Sequence, residues 1–456
     1  MSEPPRSLLT GWGRTAPTGA HVVHPGHGAV DQLAERVRTA GRRGVLARGL
    51  GRSYGDAAQN AGGTVLDMTG LNQIRACDFD TGVVEVEAGV SLETLMRIGL
   101  PQGWFVPVTP GTRFVTVGGA IAADVHGKNH HADGSFAQHV ESLELLDGTG
   151  ELRTVTPEST PDLFWATAGG MGLTGVIVSA RIRLIPVQTA YMSADIERCR
   201  DLDDVMSRLS EGDDRYRYTV AWLDNVATGA QLGRGALIRG DHATLDQLPE
   251  RRRAHARRFA PGQPLRVPAW APIPSGLLNA RTVGLLNAVW WRKHPVRKQG
   301  DIESITSFFH PLDMIGDWNR GYGPRGFLQY QYVVPFGAED FVRESLEALA
   351  EVRAPSFLTV LKRFGPGDPG PLSFPREGWT LALDFPAGIP GLPAVLDRLD
   401  ERVVEAGGAL YLAKESRVRP ELLPAMYPRL DEWRKVRDAV DPHGVFSSDL
   451  SRRLGL

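Results

Sequence analysis

The stretch Thr116–His131, TVGGAIAADVHGKNHH, constrains this chain more than any other. Gly118 and Gly119 lack a Cβ, so the backbone there can lie directly against a flat or charged ligand. Ala120, Ala122 and Ala123 keep the following helix or turn thin. His126 then arrives with Gly127 beside it, and such a histidine can approach a cofactor without crowding it. A tight turn with a solvated polar cluster explains the same letters. A second stretch shifts the balance: Ala47–Asp56, ARGLGRSYGD, follows the apolar run Val45-Leu46-Ala47, which reads as a buried strand. Gly49, Gly51 and Gly55 open a loop whose N–H groups can face phosphate oxygens. It is not the dinucleotide fingerprint, because the sixth position is Tyr54 rather than glycine. Two Gly-rich loops of different type, with Pro110-Gly111-Thr112-Arg113 between them, signal a ligand site more strongly than either alone.

Together, GLGRSYGD, PGTRFVTVGGAIAADVHGKNHH and GGMGLTGVI resemble the FAD-binding half of the vanillyl-alcohol-oxidase-type flavoproteins, in particular the branch that oxidises decaprenylphosphoryl-β-D-ribose. The resemblance runs from Leu9-Thr10-Gly11-Trp12-Gly13-Arg14 to Ser448-Asp449-Leu450. It implies a two-domain α+β fold: an FAD-binding domain from residues 1–189 and 409–456, and a substrate domain, 190–408, with an antiparallel sheet and helices. It also implies oxidation of the C2 hydroxyl to the 2-keto sugar. A separate NADH-dependent reductase would then complete epimerisation to the arabinose donor of cell-wall arabinan. FAD is expected to be non-covalent. Covalent relatives place a histidine just before the serine of the first loop, where this chain has Arg52, and His126 is the one nearby rival.

Site residues follow from the same resemblance. Ala47, Arg48, Gly49, Leu50, Gly51, Arg52, Ser53, Tyr54, Gly55, Asp56 and Ala57 are expected around the FAD pyrophosphate. Gly111, Thr116, Val117, Gly118, Gly119, Ala123, Asp124, Val125, His126 and Ile177 are expected along the rest of the cofactor, with Tyr411 approaching from the C-terminal segment. Lys414 is the expected base or substrate-orienting cation, His126 the competing base, and Tyr54 a further catalytic candidate. Trp12, Lys128, Trp222, Gln329, Gln331, Lys362 and Phe364 are expected to shape the sugar pocket. Two positions depart from the pattern: Ala382 stands where mycobacterial members carry cysteine, and Thr380 replaces a more usual asparagine. The competing readings are an alditol or aldonolactone oxidase acting on free sugars, and a flavin-binding scaffold for the reductase.

Composition sets the outer bounds. At 456 residues the chain calls for two or three domains, and 42% apolar with 23% charged residues fits a globular protein. The net charge of −2 argues against nucleic acid as a partner. Cys77 and Cys199 make neither a disulfide framework nor a metal site, and no metal is expected. The first thirty residues hold no apolar signal core, and no run of 18 apolar residues occurs. The reading is therefore peripheral attachment at the inner membrane, cytoplasmic by default with the periplasmic side left open.

Within the chain, Ser91 is a candidate N-cap for a helix to about Gly99. Leu143–Val155 reads as a hairpin around Asp147-Gly148-Thr149-Gly150. Further on, 216–222, 327–334, 357–364 and 379–385 read as strands, in which Gln329 and Gln331 share one face. Residues 410–417 read as a strand end and 427–433 as the start of a final helix. Residues 251–300 hold eleven Arg or Lys and no Asp or Glu. Arg251–Arg253 and Arg292-Lys293 bracket Trp270, Leu277, Leu278, Leu285, Leu286, Trp290 and Trp291, the composition of an interfacial membrane segment. A lid over the pocket is the competing reading.

Overall fold

The computed structural model describes residues 6–266 and 273–456, so Trp270 lies outside the described residues. Four strands, β1 (Arg6–Leu9), β2 (Thr18–Val23), β3 (Val45–Arg48) and β4 (Thr64–Asp67), form a sheet in the order β1-β2-β4-β3. The strands β2, β4 and β3 run parallel, and the helix α1 (Val30–Arg38) makes the crossover that parallel pairing requires. Its buried Leu33, Ala34 and Val37 pack with Val45 and Leu66 of the sheet. A second sheet, antiparallel, has the order β5-β6-β9-β7-β8, from β5 (Ile74–Asp78), β6 (Val83–Glu87), β7 (Val140–Leu146), β8 (Leu152–Val155) and β9 (Val176–Arg183). The β7–β8 turn is the expected hairpin, in which Asp147 Oδ1 accepts from the N–H groups of Thr149 and Glu151.

Helix α2 (Leu92–Gln102) starts at Ser91, whose Oγ accepts from Thr94 N–H at 3.1 Å. It runs past Gly99 because Leu100 continues the buried face of Leu95 and Met96, and Gly103 in the left-handed region supplies the stop. Helix α3 (Val117–Ala122) is capped by Thr116 Oγ1, which accepts from Gly119 N–H at 3.2 Å. Helix α4 (Pro161–Thr167) closes this half.

The middle of the chain builds one eight-stranded sheet in the order β13-β10-β12-β11-β15-β16-β14-β17. These are β10 (Tyr191–Cys199), β11 (Tyr218–Leu223), β12 (Gly235–His242), β13 (Arg297–Ser304), β14 (Phe327–Val334), β15 (Thr359–Phe364), β16 (Gly378–Pro386) and β17 (Ala409–Leu410). Every pairing in it is antiparallel. One face carries Tyr330, Tyr332, Leu361, Leu381, Leu383 and Phe385. These pack against α5 (Leu202–Gly212), α7 (Glu339–Glu351) and α8 (Leu392–Glu405). The period of two puts alternate residues on the other face. Register then sets Gln331, Ala382, Val360 and Trp222 side by side across four strands. A helix exposed on one side, α6 (Ala280–Lys293), lies between β12 and β13 in the chain.

The segment after 408 touches both halves. β17 pairs with Tyr332 and Val333 of β14, so Ala409 and Leu410, the first residues after the expected boundary, form an edge strand of the middle sheet. The strand then stops, contrary to expectation. The N–H groups of Lys414 and Glu415 both donate to Tyr411 O, which folds 411–415 into a turn. Beyond it, Val45 N–H donates to Val445 O and Ser447 N–H to Val45 O, which joins this segment to β3. The helix expected to be final, α9 (Leu430–Val440), is followed by α10 (Asp449–Leu454), because Ser448 and Ser451 form a capping box that restarts the helix.

Trp433 of α9 is fully buried and its Nε1–H donates to Ala166 O of α4 at 2.9 Å. Trp433→Ala leaves both a cavity and an unpaired carbonyl. It should lower stability by about 3–5 kcal/mol, read as a fall in the denaturant unfolding midpoint at unchanged slope.

Candidate active site

Between the first half and the polar face of the middle sheet lies a cavity of about 1070 Å³. That exceeds the roughly 300–1,000 Å³ of pockets for drug-sized ligands. It accommodates an extended cofactor with a second ligand beside it. Its floor is the first Gly-rich loop. Among the described residues, the N–H groups of Gly49, Leu50, Gly51, Arg52 and Ser53 have no hydrogen-bond acceptor within the protein. Consecutive free N–H groups of this kind form an anion-binding concavity. Glycine is needed twice here. A Cβ on Gly49 would lie 2.2 Å from Thr116 Oγ1, so only glycine lets the two loops touch. Gly51 has φ +64°, a conformation that other residues rarely adopt. Arg48 fixes the loop from behind, donating to Ala58 O and Thr10 O.

The opposite wall is basic. Burial lowers Lys128 and Lys414 to about 8, and Lys362 to about 7 with Lys128 and Lys414 adding repulsion. Lys362 Nζ lies 3.0 Å from His126 Nδ1 and donates to Gly127 O at 3.2 Å, while Gln331 Nε2 stands 3.0 Å from His126 Nε2. Burial, then Lys362, His130 and Lys414, hold His126 well below its ordinary value, so the ring is neutral. A neutral imidazole has one proton for two nitrogens. With the Gln331 amide donating at Nε2, that proton sits on Nδ1 and Lys362 receives it as a free amine. Lys414 packs its Nζ 3.8 Å from the Tyr54 ring centre. The neighbouring Glu415 is no partner for it, because Glu415 pairs with Arg453 at 2.9 Å.

Most of the residues singled out in the sequence meet on this cavity. Ala47–Tyr54, Ala57, Gly111, Thr116, Gly118, Gly119, Ala123, Val125, His126, Ile177 and Tyr411 line it, as do Trp12, Lys128, Trp222, Gln329, Gln331, Lys362 and Lys414. Five do not. Gly55 is pressed against the Glu415 backbone, and Asp56 forms an ion pair with Arg453 at 2.9 Å. Val117 is core. Asp124 turns inward to accept from Ser373 Oγ at 2.6 Å, and Phe364 packs on His126 and His130 behind the wall. Arg52 lines the cavity, but its guanidinium stacks 3.9 Å from the Trp12 ring and donates to Phe114 O.

Sequence reasoning missed the stretch Pro311–Trp318, which supplies another side of the cavity. It is pinned by two buried contacts: Arg113 to Asp313 (N–H 2.9 Å, Nη1 3.3 Å) and Thr109 Oγ1 to His310 Nε2 (2.8 Å). No local signal marked it, because the Asp313 partner of Arg113 lies 200 positions away in the chain. Thr380, noted as a departure, accepts from Gln331 Nε2 at 3.2 Å and so tethers the amide that faces His126. Among the described residues no group of His, Cys, Asp or Glu is placed to hold a metal ion.

Comparison with known proteins gives the following. The FAD binding domain family matches residues 20–156, and the D-arabinono-1,4-lactone oxidase family matches 397–454. The decaprenylphosphoryl-beta-D-ribose oxidase of Mycolicibacterium smegmatis is 49% identical over 98% of this chain and 97% of its own. An uncharacterized protein of Streptomyces coelicolor is 46% identical over 80% of this chain and 100% of its own. The L-gulono-1,4-lactone dehydrogenase of Mycobacterium tuberculosis is 25% identical over 93% of each chain. The cradle of free N–H groups and the glycine contacts fit FAD, and residues 47–54 with Thr116, Gly118, Gly119, Ala123, Val125 and His126 would hold it.

Among the described residues, neither of the two positions considered for a covalent bond to that cofactor is free to form it. Arg52 cannot form the linkage, and both His126 nitrogens are engaged by Gln331 and Lys362. Acid precipitation of the purified protein should leave yellow, fluorescent flavin in the supernatant. Colour retained in the pellet contradicts this.

Proposed function

We propose that this chain, which belongs to the FAD-dependent decaprenylphosphoryl-β-D-ribose oxidases, oxidises the C2 hydroxyl of that lipid-linked sugar to the 2-keto sugar. The observation that carries the reading is the basic wall: Lys362, which is buried, and Lys128 and Lys414, which are half-buried, face the FAD-binding loops across one cavity together with Gln329 and Gln331. Amides and ammonium groups suit sugar hydroxyls and a phosphodiester. FAD, when bound, supplies the acceptor for the hydride from C2, which no side chain can provide.

The protein's own task is the proton. As the C2 hydrogen leaves with its bonding pair, the hydroxyl must lose H⁺ for the C=O to form. Lys414 Nζ is the base in this reading. At about 8 it is roughly one-tenth free amine at pH 7, and its nitrogen is committed to no acceptor among the described residues. His126 is a weaker base, held well below its ordinary value with both nitrogens engaged. Lys362 is closer to neutral, yet its nitrogen is taken by His126 and Gly127. The ketone product calls for a separate NADH-dependent reductase to finish the epimerisation. The tail match to D-arabinono-1,4-lactone oxidase keeps a free-sugar oxidase as the second reading.

In stopped-flow, decaprenylphosphoryl-ribose should bleach the flavin absorbance while free alditols and aldonolactones should not. The rate should climb as pH rises through about 8, because Lys414 must lose its proton first. Lys414→Ala should keep FAD but cut the rate by about 10²–10⁴-fold. Lys414→Arg should do the same, since arginine cannot deprotonate. Normal rates in both variants, with His126→Ala inactive, would transfer the role to the histidine. Bleaching by free polyols alone would favour the second reading.

The lipid substrate also calls for contact with a bilayer. On α6, Val283 and Asn287 are buried while Leu285, Leu286, Val289 and Trp290 are exposed. Leu286 and Trp290 line the cavity as well, so the exposed apolar face continues inside. Arg281, Arg292 and Lys293 flank that face on the same helix. Among the described residues no helix is long and apolar enough to cross a membrane. Peripheral docking through this helix is the proposal. The triplet Arg251–Arg253 is less suited to it than its composition suggested, because Arg252 donates to Ile302 O and Arg253 to Leu248 O. Each cation near an anionic surface contributes about 1 kcal/mol. Sedimentation with anionic liposomes should weaken with salt, and with Leu285→Glu/Val289→Glu or Arg292→Glu/Lys293→Glu. Sedimentation unchanged in both double variants leaves α6 as a pocket lid.

A further inference from the structure

One buried carboxyl close to the basic wall has no part in the chemistry above. Asp384 lies on β16, on the face that carries Thr380 and Ala382, directly opposite Gln329 of β14. It is wholly buried and does not reach the cavity. Its Oδ1 accepts from Gln329 Nε2, and its backbone N–H donates to Ser356 Oγ at 3.1 Å. Oδ2 has no hydrogen-bond partner among the described residues. An ionised carboxylate left half-partnered in an apolar interior is costly unless a nearby charge compensates it.

The groups around it are few. Tyr54 from the first loop and Tyr322 from the 318–322 turn each face the Asp384 charge, and among the described residues Lys414 from the 411–415 turn is the one cation acting on it. Among the described residues Lys414 in turn has Asp384 as the one anion acting on it, and it repels Lys362 and His126 beyond. No direct ion pair joins the two residues, so the coupling acts through space across the Tyr54–Gln329 layer.

We propose that Asp384 is a positioning residue for the oxidation: it holds Gln329 in the wall and is the counter-charge to Lys414 when Lys414 takes the substrate proton. This rests on the reading of Lys414 as the base. In that step the O–H bond breaks and its proton passes to Lys414 Nζ. The electron pair left on oxygen becomes the second bond of C=O as hydride departs from C2. A new ammonium then sits in a wall that already holds Lys128. Asp384, raised by burial to about 7 and drawn back by Gln329 and Lys414, is available as a carboxylate when that charge appears. Without it the ammonium is disfavoured, so Lys414 becomes a weaker base that loses its proton at lower pH.

The test reads Lys414 directly. Trace acetylation with acetic anhydride across pH, followed by mass spectrometry of the Lys414 peptide, gives the midpoint of its deprotonation in the holoenzyme without turnover. Asp384→Asn should move that midpoint down by ~1 pH unit or more, and Asp384→Glu should leave it with the native protein. Asp384→Ser serves the same comparison if asparagine is not tolerated. In stopped-flow, the rising limb of flavin reduction against pH should move down with the labelling midpoint, while the high-pH plateau falls. A purely structural role lowers the rate at every pH without moving either midpoint. Labelling midpoints in the neutral variants that coincide with the native one overturn the proposal and leave Asp384 as a prop for Gln329. If Lys414→Ala reduces flavin normally, the base assignment itself fails and takes this inference with it. The two failures are told apart because labelling needs no substrate.

Discussion

The contact of Lys362 Nζ with His126 Nδ1 joins two parts of the chain that are otherwise built separately. His126 follows the short helix whose N-terminal glycines border the cofactor cradle, and Lys362 projects from the middle sheet. The contact depends on both groups being uncharged or nearly so, which burial enforces from either side. Once made, it fixes the distance between the cradle and the polar face of the sheet. Gln331 extends it to Thr380, and Lys362 Nζ donates to Gly127 O. The chemistry across the cavity needs reacting groups held within a few tenths of an ångström. A chain of hydrogen bonds between rigid strands supplies that better than loop contacts do.

The Arg113–Asp313 pair performs the corresponding task on a third side. Both side chains are almost fully buried, and the arginine also lies over the Phe114 ring. Removing Arg113 would leave the Asp313 carboxylate without its cation in the interior, while Glu93, 3.6 Å from Arg113 Nε, is a second acid for the arginine. Pro311–Trp318 is therefore a wall rather than a flap, although Met314 and Ile315 at its tip face solvent.

What the amino-acid sequence disclosed follows from which interactions are local. Glycine spacing in 47–56 and 116–119 exposed the cradle, because close backbone approach permits nothing larger. Alternation exposed Gln329 and Gln331 as neighbours, because strand geometry has a period of two. Ser91 announced its helix through its cap. The 311–318 wall stayed hidden because its anchors lie about two hundred positions away. The Lys414 turn read as a strand because Ala409–Ala413 is apolar, and only the paired N–H groups on Tyr411 O bend it. Gly55 and Asp56 sat inside a motif associated with the ligand, yet their contacts with Glu415 and Arg453 make them the joint between that motif and the C-terminal turn.

That joint has a consequence for how the protein is made. β3, the strand that leads into the phosphate loop, takes a hydrogen bond from Ser447 and gives one to Val445, and Tyr54 N–H donates to Ala413 O. Domains generally fold as units, from the N-terminus onward during synthesis at about 5–20 residues per second. Here the first unit closes late, since the segment 445–447 that pairs with β3 emerges some four hundred residues later. The middle sheet can assemble meanwhile, being contiguous in the chain. The half that cradles the cofactor waits on the ribosome with its loop unbraced, and the nascent protein is open to chaperones and proteases for that interval. Lys414 arrives in the same late segment, so the chemistry and the scaffold that holds it are completed together.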